Sequence, residues 1–169
     1  VDNKIQFAVT REDPLVDIHI IKKFGLSRAL LIASGGCTAL SLQSELPEVN
    51  LTLFDPNKDQ LELILKKVQL LKSEMLSKET FNIGSDDPNA LNACGNFESL
   101  FRGFRNFVWE FIAEKSYWED LFNGVIEQET LEKVFSNKYW PIAFDLFFYS
   151  DFLEAMFGKE AVQNAPKNS

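Results

Sequence analysis

Along residues 14–72 of this chain, segments with the hydrophobic spacing of a helix alternate with segments that have the hydrophobic spacing of a strand. Pro14 to Phe24 predicts a helix, because proline suits a first helical turn and Gly25 is a natural stop. The run from Arg28 to Ala33 is short and apolar, which is typical of a buried strand. The alternation from Asn50 to Phe54, followed by Asp-Pro-Asn, predicts a second strand.

A helix is predicted after each of these strands. Thr38 to Leu46 forms the first, and Pro47 ends it. Asp59 to Lys72 forms the second, and Asn57 with Gln60 ahead of its apolar residues resembles a capping box. The predicted apolar face of this helix comprises Leu61, Ile64, Leu65, Val68 and Leu71. The unit is therefore strand–helix–strand–helix, with parallel strands joined by a right-handed crossover.

The chain changes character from Phe81 onward. Residues 82–96 (NIGSDDPNALNACGN) are rich in Gly, Asn and Asp and predict a loop with one helical turn at most. Helices are predicted over Phe97 to Lys115, Tyr117 to Phe122, Gln128 to Phe135 and Trp140 to Phe157. We expect one compact α/β unit with two regions, residues 1–80 and residues 81–169.

The hydrophobic pattern predicts two strands, whereas a doubly wound sheet needs more than two strands to bury both of its faces. Either the domain is atypical, or the other strands lie beyond Ser169. We favour the second interpretation and expect the chain to be a piece of a longer protein.

Composition excludes some classes of function. The net charge of −8 argues against a nucleic-acid partner, whose phosphates require a positive surface. No apolar run is long enough to span a bilayer, and the N-terminus has no signal-peptide pattern. Cys37 and Cys94 lie far apart, which suggests reduced thiols in a cytoplasmic setting. His19 is the single histidine, so we expect no His-rich metal site and a structural role for this residue.

The segment LLIASGGCTALSL (residues 30–42) interrupts an apolar run with Gly35 and Gly36. A glycine turn after a strand lets a ligand approach the main chain, and the next helix offers unpaired N–H groups. Asp55 follows Gly35 at 55 − 35 = 20 residues, where an acid that accepts ribose hydroxyls is expected. The third glycine of a pyrophosphate motif is absent, which favours a nucleoside without phosphates, such as S-adenosylmethionine. The alternative is that the glycines form only a turn and Asp55 only caps the strand end.

LLIASGGCTALSL, followed by LTLFDPNKDQLELILKK, resembles the S-adenosylmethionine:diacylglycerol 3-amino-3-carboxypropyltransferase family of betaine-lipid synthesis. TREDPLVD is similar to the xEDPxxD segment of that family, and NACGNFESLFR is similar to its GxFExxF segment. SNKYWPIAFDLFF and MFGKEAVQNAPKNS are similar to later family stretches, so the resemblance touches nearly the whole chain. Enzymes of this family are longer than this chain.

The resemblance implies the N-terminal half of a class I methyltransferase-like, Rossmann-type sheet, followed by a mainly helical, Phe-rich region. It also implies S-adenosylmethionine as cofactor and transfer of its 3-amino-3-carboxypropyl group to a diacylglycerol hydroxyl. The cofactor-binding residues implied are Ser34, Gly35, Gly36, Cys37, Asp55, Pro56, Asn57 and Gln60. The alternatives are a methyltransferase and a non-catalytic nucleoside-binding fragment.

A transferase of this kind needs a base for the hydroxyl proton, and acids are the candidates because histidine is nearly absent. Asp13 and Glu98 are the first candidates, and Glu12 and Asp17 are weaker ones. The alternative role of Asp13 and Glu98 is that of an acid at a helix N-terminus. Three arginines are candidates for binding a carboxylate or for surface ion pairs: Arg11, Arg102 and Arg105.

Most of the sixteen Phe residues of the chain follow Asn96, which gives the second half an unusual aromatic content. Rings recur at steps of three and four residues from Phe97 to Phe111 and in a similar way from Phe144 to Phe157. Packing between helices explains this spacing, and so does an apolar groove for acyl chains of a lipid acceptor. A lipid-using enzyme without a transmembrane segment would reach its substrate at the bilayer surface, so we expect a cytoplasmic protein with peripheral membrane contact.

Overall fold

A computed structural model describes residues 5–73, 78–81 and 87–164. The described part is an α/β protein that is mostly helical and contains a two-stranded parallel sheet, which confirms the α/β part of the prediction. The chain divides into two compact units, Val1–Ser99 and Leu100–Ser169, and each is described by itself.

The first unit follows the predicted order of elements. Its elements are α1 (Pro14–Phe24), β1 (Arg28–Ile32), α2 (Cys37–Glu45), β2 (Asn50–Phe54), α3 (Lys58–Leu71), a 3-10 turn (Glu79–Phe81) and the start of α4 (Asn96–Phe111). Gly25 ends α1 in a left-handed conformation (φ 59°), as its position after the helix predicts. The predicted bounds of the strands and of α1–α3 differ from the observed ones by a residue at most.

The sheet is covered on one face. β1 and β2 pair in parallel from Arg28 opposite Asn50 to Ile32 opposite Phe54. One face packs on a cluster from α1, α2 and the loop after it, which contains Ile18, Ile21, Leu42, Leu46 and Val49. On the opposite face the side chains of Leu30 and Ile32 are 65% and 67% exposed, so it has no such apolar cover among the described residues.

The predicted apolar face of α3 is confirmed at Ile64 and wrong at Leu65 and Leu71. The helix buries Gln60, Leu63, Ile64 and Lys67, whereas Leu65 is exposed. Two polar side chains on the buried face bind main-chain groups of the N-terminal segment, as described below. Those bonds set the rotation of α3 about its axis.

The predicted capping box before α3 is also wrong. Asn57 caps α3 by accepting from the Asp59 N–H at 3.0 Å, one residue earlier than a capping box requires. The Asn57 N–H donates to Asp55 Oδ1 at 2.9 Å, and the Gln60 side chain binds a distant segment. The carboxylate of Asp55 has therefore taken the role that the capping box assigns to Gln60.

The start of α4 belongs to the first unit, although the sequence places the boundary near residue 80. The N–H of Asn96 donates to Ile5 O at 2.9 Å, and the N–H of Phe97 donates to Gln6 O at 3.0 Å. These bonds join the beginning of α4 to the N-terminal segment. Of the predicted loop, residues 87–95 form turns, and residues 82–86 lie outside the described residues.

The second unit is helical in its described residues. After α4 it contains α5 (Lys115–Phe122), α6 (Gln128–Phe135), α7 (Tyr139–Phe147), α8 (Ser150–Phe157) and α9 (Lys159–Asn164). The predicted helix from Phe97 to Lys115 is too long, because Glu114 is extended (ψ 162°) and begins α5. The predicted helix from Trp140 to Phe157 is two helices, because extended Tyr149 (ψ 150°) separates them.

Aromatic rings pack between α4 and α7 of this unit. The Phe104 ring lies 5.3 Å from the Phe148 ring and 5.8 Å from the Phe147 ring, edge to face in both cases. Trp140 and Phe144 lie 6.4 Å and 5.6 Å from the same ring. Among the described residues, no helix combines the length and the apolar character that crossing a membrane requires.

Candidate functional site

The glycine turn and the strand-end acid lie side by side. Ser34, with a left-handed backbone (φ 44°), donates its N–H to Asp55 Oδ2 at 3.1 Å. The other oxygen of Asp55 accepts the N–H of Asn57. The carboxyl ends of neighbouring parallel strands meet at one edge of a sheet, and here a single carboxylate joins both turns.

Helix α2 begins at this turn without a side-chain cap. Its N-cap residue is Gly36, in a left-handed conformation (φ 81°), which has no side chain to accept from the first N–H groups. The first turn contains no acid, so the positive end of the helix dipole is not offset by a local carboxylate. This end of α2 is suited to an anionic group.

A cavity of about 490 Å³ lies beside the turn and along β1, and we call it the β1 cavity. Ser34 and Thr38 bring the glycine turn and the start of α2 to its wall. Its charged lining consists of Arg11, Glu12 and Asp17. The volume is in the range of pockets that hold small ligands.

The N-terminal segment, residues 5–13, lies against the glycine turn. A Cβ atom at Gly35 would overlap the main chain of Val9 (2.5 Å from its carbonyl carbon), so this position requires glycine. The close approach expected at Gly35 is therefore made by the chain itself. On the side of the β1 cavity, the turn and α2 contribute Ser34 and Thr38 to the wall.

The Gln60 side chain makes three hydrogen bonds to the N-terminal segment and a fourth to the turn after β1. Its Oε1 accepts from the N–H groups of Gln6 and Phe7 at 2.7 Å and 3.2 Å. Its Nε2 donates to Phe7 O at 2.8 Å and to Ser34 O at 2.6 Å. Both ends of the side chain are thus used to bind the segment to the turn after β1.

Lys67 makes a second link, from inside the unit. Its side chain is 1% exposed, and Nζ donates to Ala8 O at 2.6 Å and to Gly35 O at 2.8 Å. Burial lowers the pKa of Lys67 below its ordinary value, and the nearby Cys37, Cys94 and Glu98 act in the opposite direction. Burial also raises the pKa of the Cys94 thiol.

Glu98 makes the third link. Its Oε2 accepts from the Ala8 N–H at 2.8 Å, and its Oε1 lies 3.6 Å from Nη2 of Arg11. The residue is 7% exposed, whereas the Arg11 side chain is 60% exposed. Arg11 therefore extends from a buried acid to the solvent side of the β1 cavity, with its guanidinium 5.5 Å above the Phe97 ring.

The two acids predicted as catalytic both have structural partners. Asp13 caps α1, because its Oδ1 accepts from the Leu15 N–H at 2.9 Å. Glu98 holds Ala8 as described, and neither acid lines the β1 cavity. The acids ranked lower by the sequence, Glu12 and Asp17, do line it.

The predicted cofactor residues fall into two groups. Ser34 and Asp55 lie together at the strand ends, and Gly36 and Cys37 begin α2 beside them. Asn57 caps α3, Gln60 binds the N-terminal segment, and Pro56 is exposed. His19 is exposed on α1.

Sequence reasoning missed Lys67. The available signal is its position three and four residues after Ile64 and Leu63, on the same side of α3. A charged residue at the apolar spacing of a helix is a candidate for burial with a partner.

Comparison of the chain with protein-family models, with curated proteins and with solved structures finds no match.

Proposed function

We propose that the first unit binds S-adenosylmethionine at the carboxyl ends of β1 and β2, in a Rossmann-type arrangement. The observation that carries this proposal is the hydrogen bond from Ser34 N–H to Asp55 Oδ2 beside the β1 cavity. It joins the turn and the acid whose 20-residue spacing is typical of nucleoside sites.

The residues present fit the ligand in three places. Each carboxylate oxygen of Asp55 accepts one main-chain N–H and has a second acceptor position for a ribose hydroxyl. The uncapped start of α2 suits the carboxylate of the amino-acid end. Arg11, at the wall of the cavity, is a cation that can bind the same carboxylate. Gly35 is not a contact in this proposal, because Val9 covers it.

The reaction proposed is transfer of the 3-amino-3-carboxypropyl group to a lipid hydroxyl, for which the family resemblance is the support. The hydroxyl oxygen bonds to the γ-carbon, and the carbon–sulfur bond breaks with its electron pair going to sulfur. The product is an ether-linked homoserine lipid, and methylthioadenosine leaves.

The hydroxyl proton passes to a carboxylate base. Glu12 or Asp17 supplies this base, because these acids line the cavity, whereas Asp13 and Glu98 are used in structural hydrogen bonds.

Product analysis tests this reaction. The chain is incubated with S-adenosylmethionine and diacylglycerol in detergent micelles, and the nucleoside products are identified by mass spectrometry. We expect methylthioadenosine in wild type, with less of it in Glu12→Gln or Asp17→Asn and an unchanged yield in the surface control Glu48→Gln. S-adenosylhomocysteine alone would indicate methyl transfer and contradict the proposed reaction.

A further inference from the structure

The second unit contains a pocket of about 410 Å³ that all three tryptophans of the chain line. We call it the tryptophan pocket. Trp109 comes from α4, Trp118 from α5 and Trp140 from α7. Phe104 and Val108 of α4 add further apolar surface.

The interior of the tryptophan pocket is apolar because two indole groups are already satisfied. The Trp118 Nε1–H donates to Ala113 O at 2.9 Å, and the Trp140 Nε1–H donates to Val134 O at 2.9 Å. The rings of these residues therefore present carbon surface to a ligand. An alkyl chain suits this interior, since it needs no hydrogen-bond partner.

The charges of the pocket are asymmetric. The Arg105 guanidinium lies 4.4 Å from the centre of the Trp109 ring, and the Lys115 ammonium lies 5.9 Å from it. Glu119 lies 3.3 Å from Lys115 and offsets one of these two cations. The lining therefore has a net charge of about +1 in a chain whose net charge is −8.

We propose that the tryptophan pocket binds a single-chain amphiphile with an anionic head, a long-chain carboxylate. The alkyl chain lies against the three indoles, and the carboxylate binds Arg105 and Lys115. The ligand also covers Phe122, a lining residue that is 84% exposed. This site differs from the acceptor of the proposed reaction, which is a neutral diacylglycerol, and the inference is independent of that reaction.

Tryptophan fluorescence reports on this pocket directly, because the chain has no tryptophan elsewhere. The probe is dodecanoate with bromine atoms in its tail, which quench an indole on contact, below its micelle-forming concentration. We expect saturable quenching that is about tenfold tighter than that by the equally brominated alcohol, the equivalent of one charge-assisted hydrogen bond. Equal affinity for the alcohol or for a brominated alkylamine would overturn the proposal.

Variants of the two cations locate the head of the ligand. Arg105→Gln and Lys115→Gln are each expected to weaken binding of the carboxylate several-fold and to leave the alcohol unchanged. Lys138→Gln is the matched control, since this lysine also lies over a ring (5.2 Å from Tyr139) but is outside the pocket. Arg105→Lys, which keeps the charge, is expected to restore part of the affinity. Equal losses in Lys115→Gln and Lys138→Gln would contradict the assignment.

Discussion

Lys67 and Glu98 bind the two main-chain groups of one residue, Ala8. The Lys67 ammonium donates to the carbonyl oxygen at 2.6 Å, and the Glu98 carboxylate accepts the N–H at 2.8 Å. All three residues are buried. The N-terminal segment is therefore held by its main chain, and this places Arg11 and Glu12 at the β1 cavity.

Removing the buried ammonium should destabilise the first unit. Lys67→Met leaves the carbonyl groups of Ala8 and Gly35 without this donor and removes a cation near Glu98. We expect the free energy of unfolding to fall by about 3 kcal/mol, because two buried carbonyl oxygens each lose a hydrogen bond from a charged donor. Urea denaturation at neutral pH measures it. Lys66→Met, at the exposed neighbouring position, is the control, and equal losses in the two variants would contradict this role.

The lowered pKa of Lys67 predicts a pH dependence. Between the folded-state pKa and about 10.4, the unfolded chain holds a proton that folded Lys67 has lost. Stability therefore rises with pH in this window, by at most about 1.4 kcal/mol per unit, and is independent of Lys67 below it. The raised pKa of Cys94 has the opposite effect, because the folded thiol keeps a proton that the unfolded one loses.

The Cys94→Ala background removes the opposing contribution of the thiol, so the proteins with lysine and with methionine at position 67 are compared in it. Chemical denaturation is measured from neutral to alkaline pH for this variant and for its Lys67→Met derivative. The difference in stability between them should grow in favour of the lysine protein as the pH rises. A constant difference would show that Lys67 has the same pKa in both states.

Gly35→Ala tests the contact between the N-terminal segment and the turn. The added methyl group meets the Val9 main chain, and such overpacking costs about 2 kcal/mol. Hydrogen exchange of the Gln6, Phe7 and Ala8 amides should become faster, because Gln60 and Glu98 hold these N–H groups in wild type. Gly124→Ala, in open space at φ 71°, should leave these three amides unchanged. Unchanged exchange in Gly35→Ala would exclude the contact.

The elements with local signals could be predicted from the sequence. Proline at position 14 and glycine at position 25 define α1, and the alternation from Asn50 to Phe54 defines β2. The spacing between Gly35 and Asp55 also predicted that these strand ends meet, because the pairing of parallel strands fixes which ends are adjacent.

The parts that depend on distant partners could not be predicted. Gln60 resembles a capping residue in sequence, yet its partners Gln6 and Phe7 lie 54 and 53 positions away. Nothing local distinguishes Lys67 from its exposed neighbour Lys66 except the helical spacing. The sequence also did not predict that Glu12 and Asp17 line the β1 cavity, since the N-terminal segment acquires its path only from those distant bonds.

Calorimetric titration of S-adenosylmethionine into the chain tests the central claim most directly. We predict saturable binding to wild type and to Glu48→Gln, an exposed acid of the first unit. Asp55→Asn keeps one oxygen acceptor for a main-chain N–H, loses the second acceptor and the charge, and should bind about tenfold more weakly. No saturable heat with wild type, or equal affinity in Asp55→Asn and Glu48→Gln, would contradict a nucleoside site at the ends of β1 and β2.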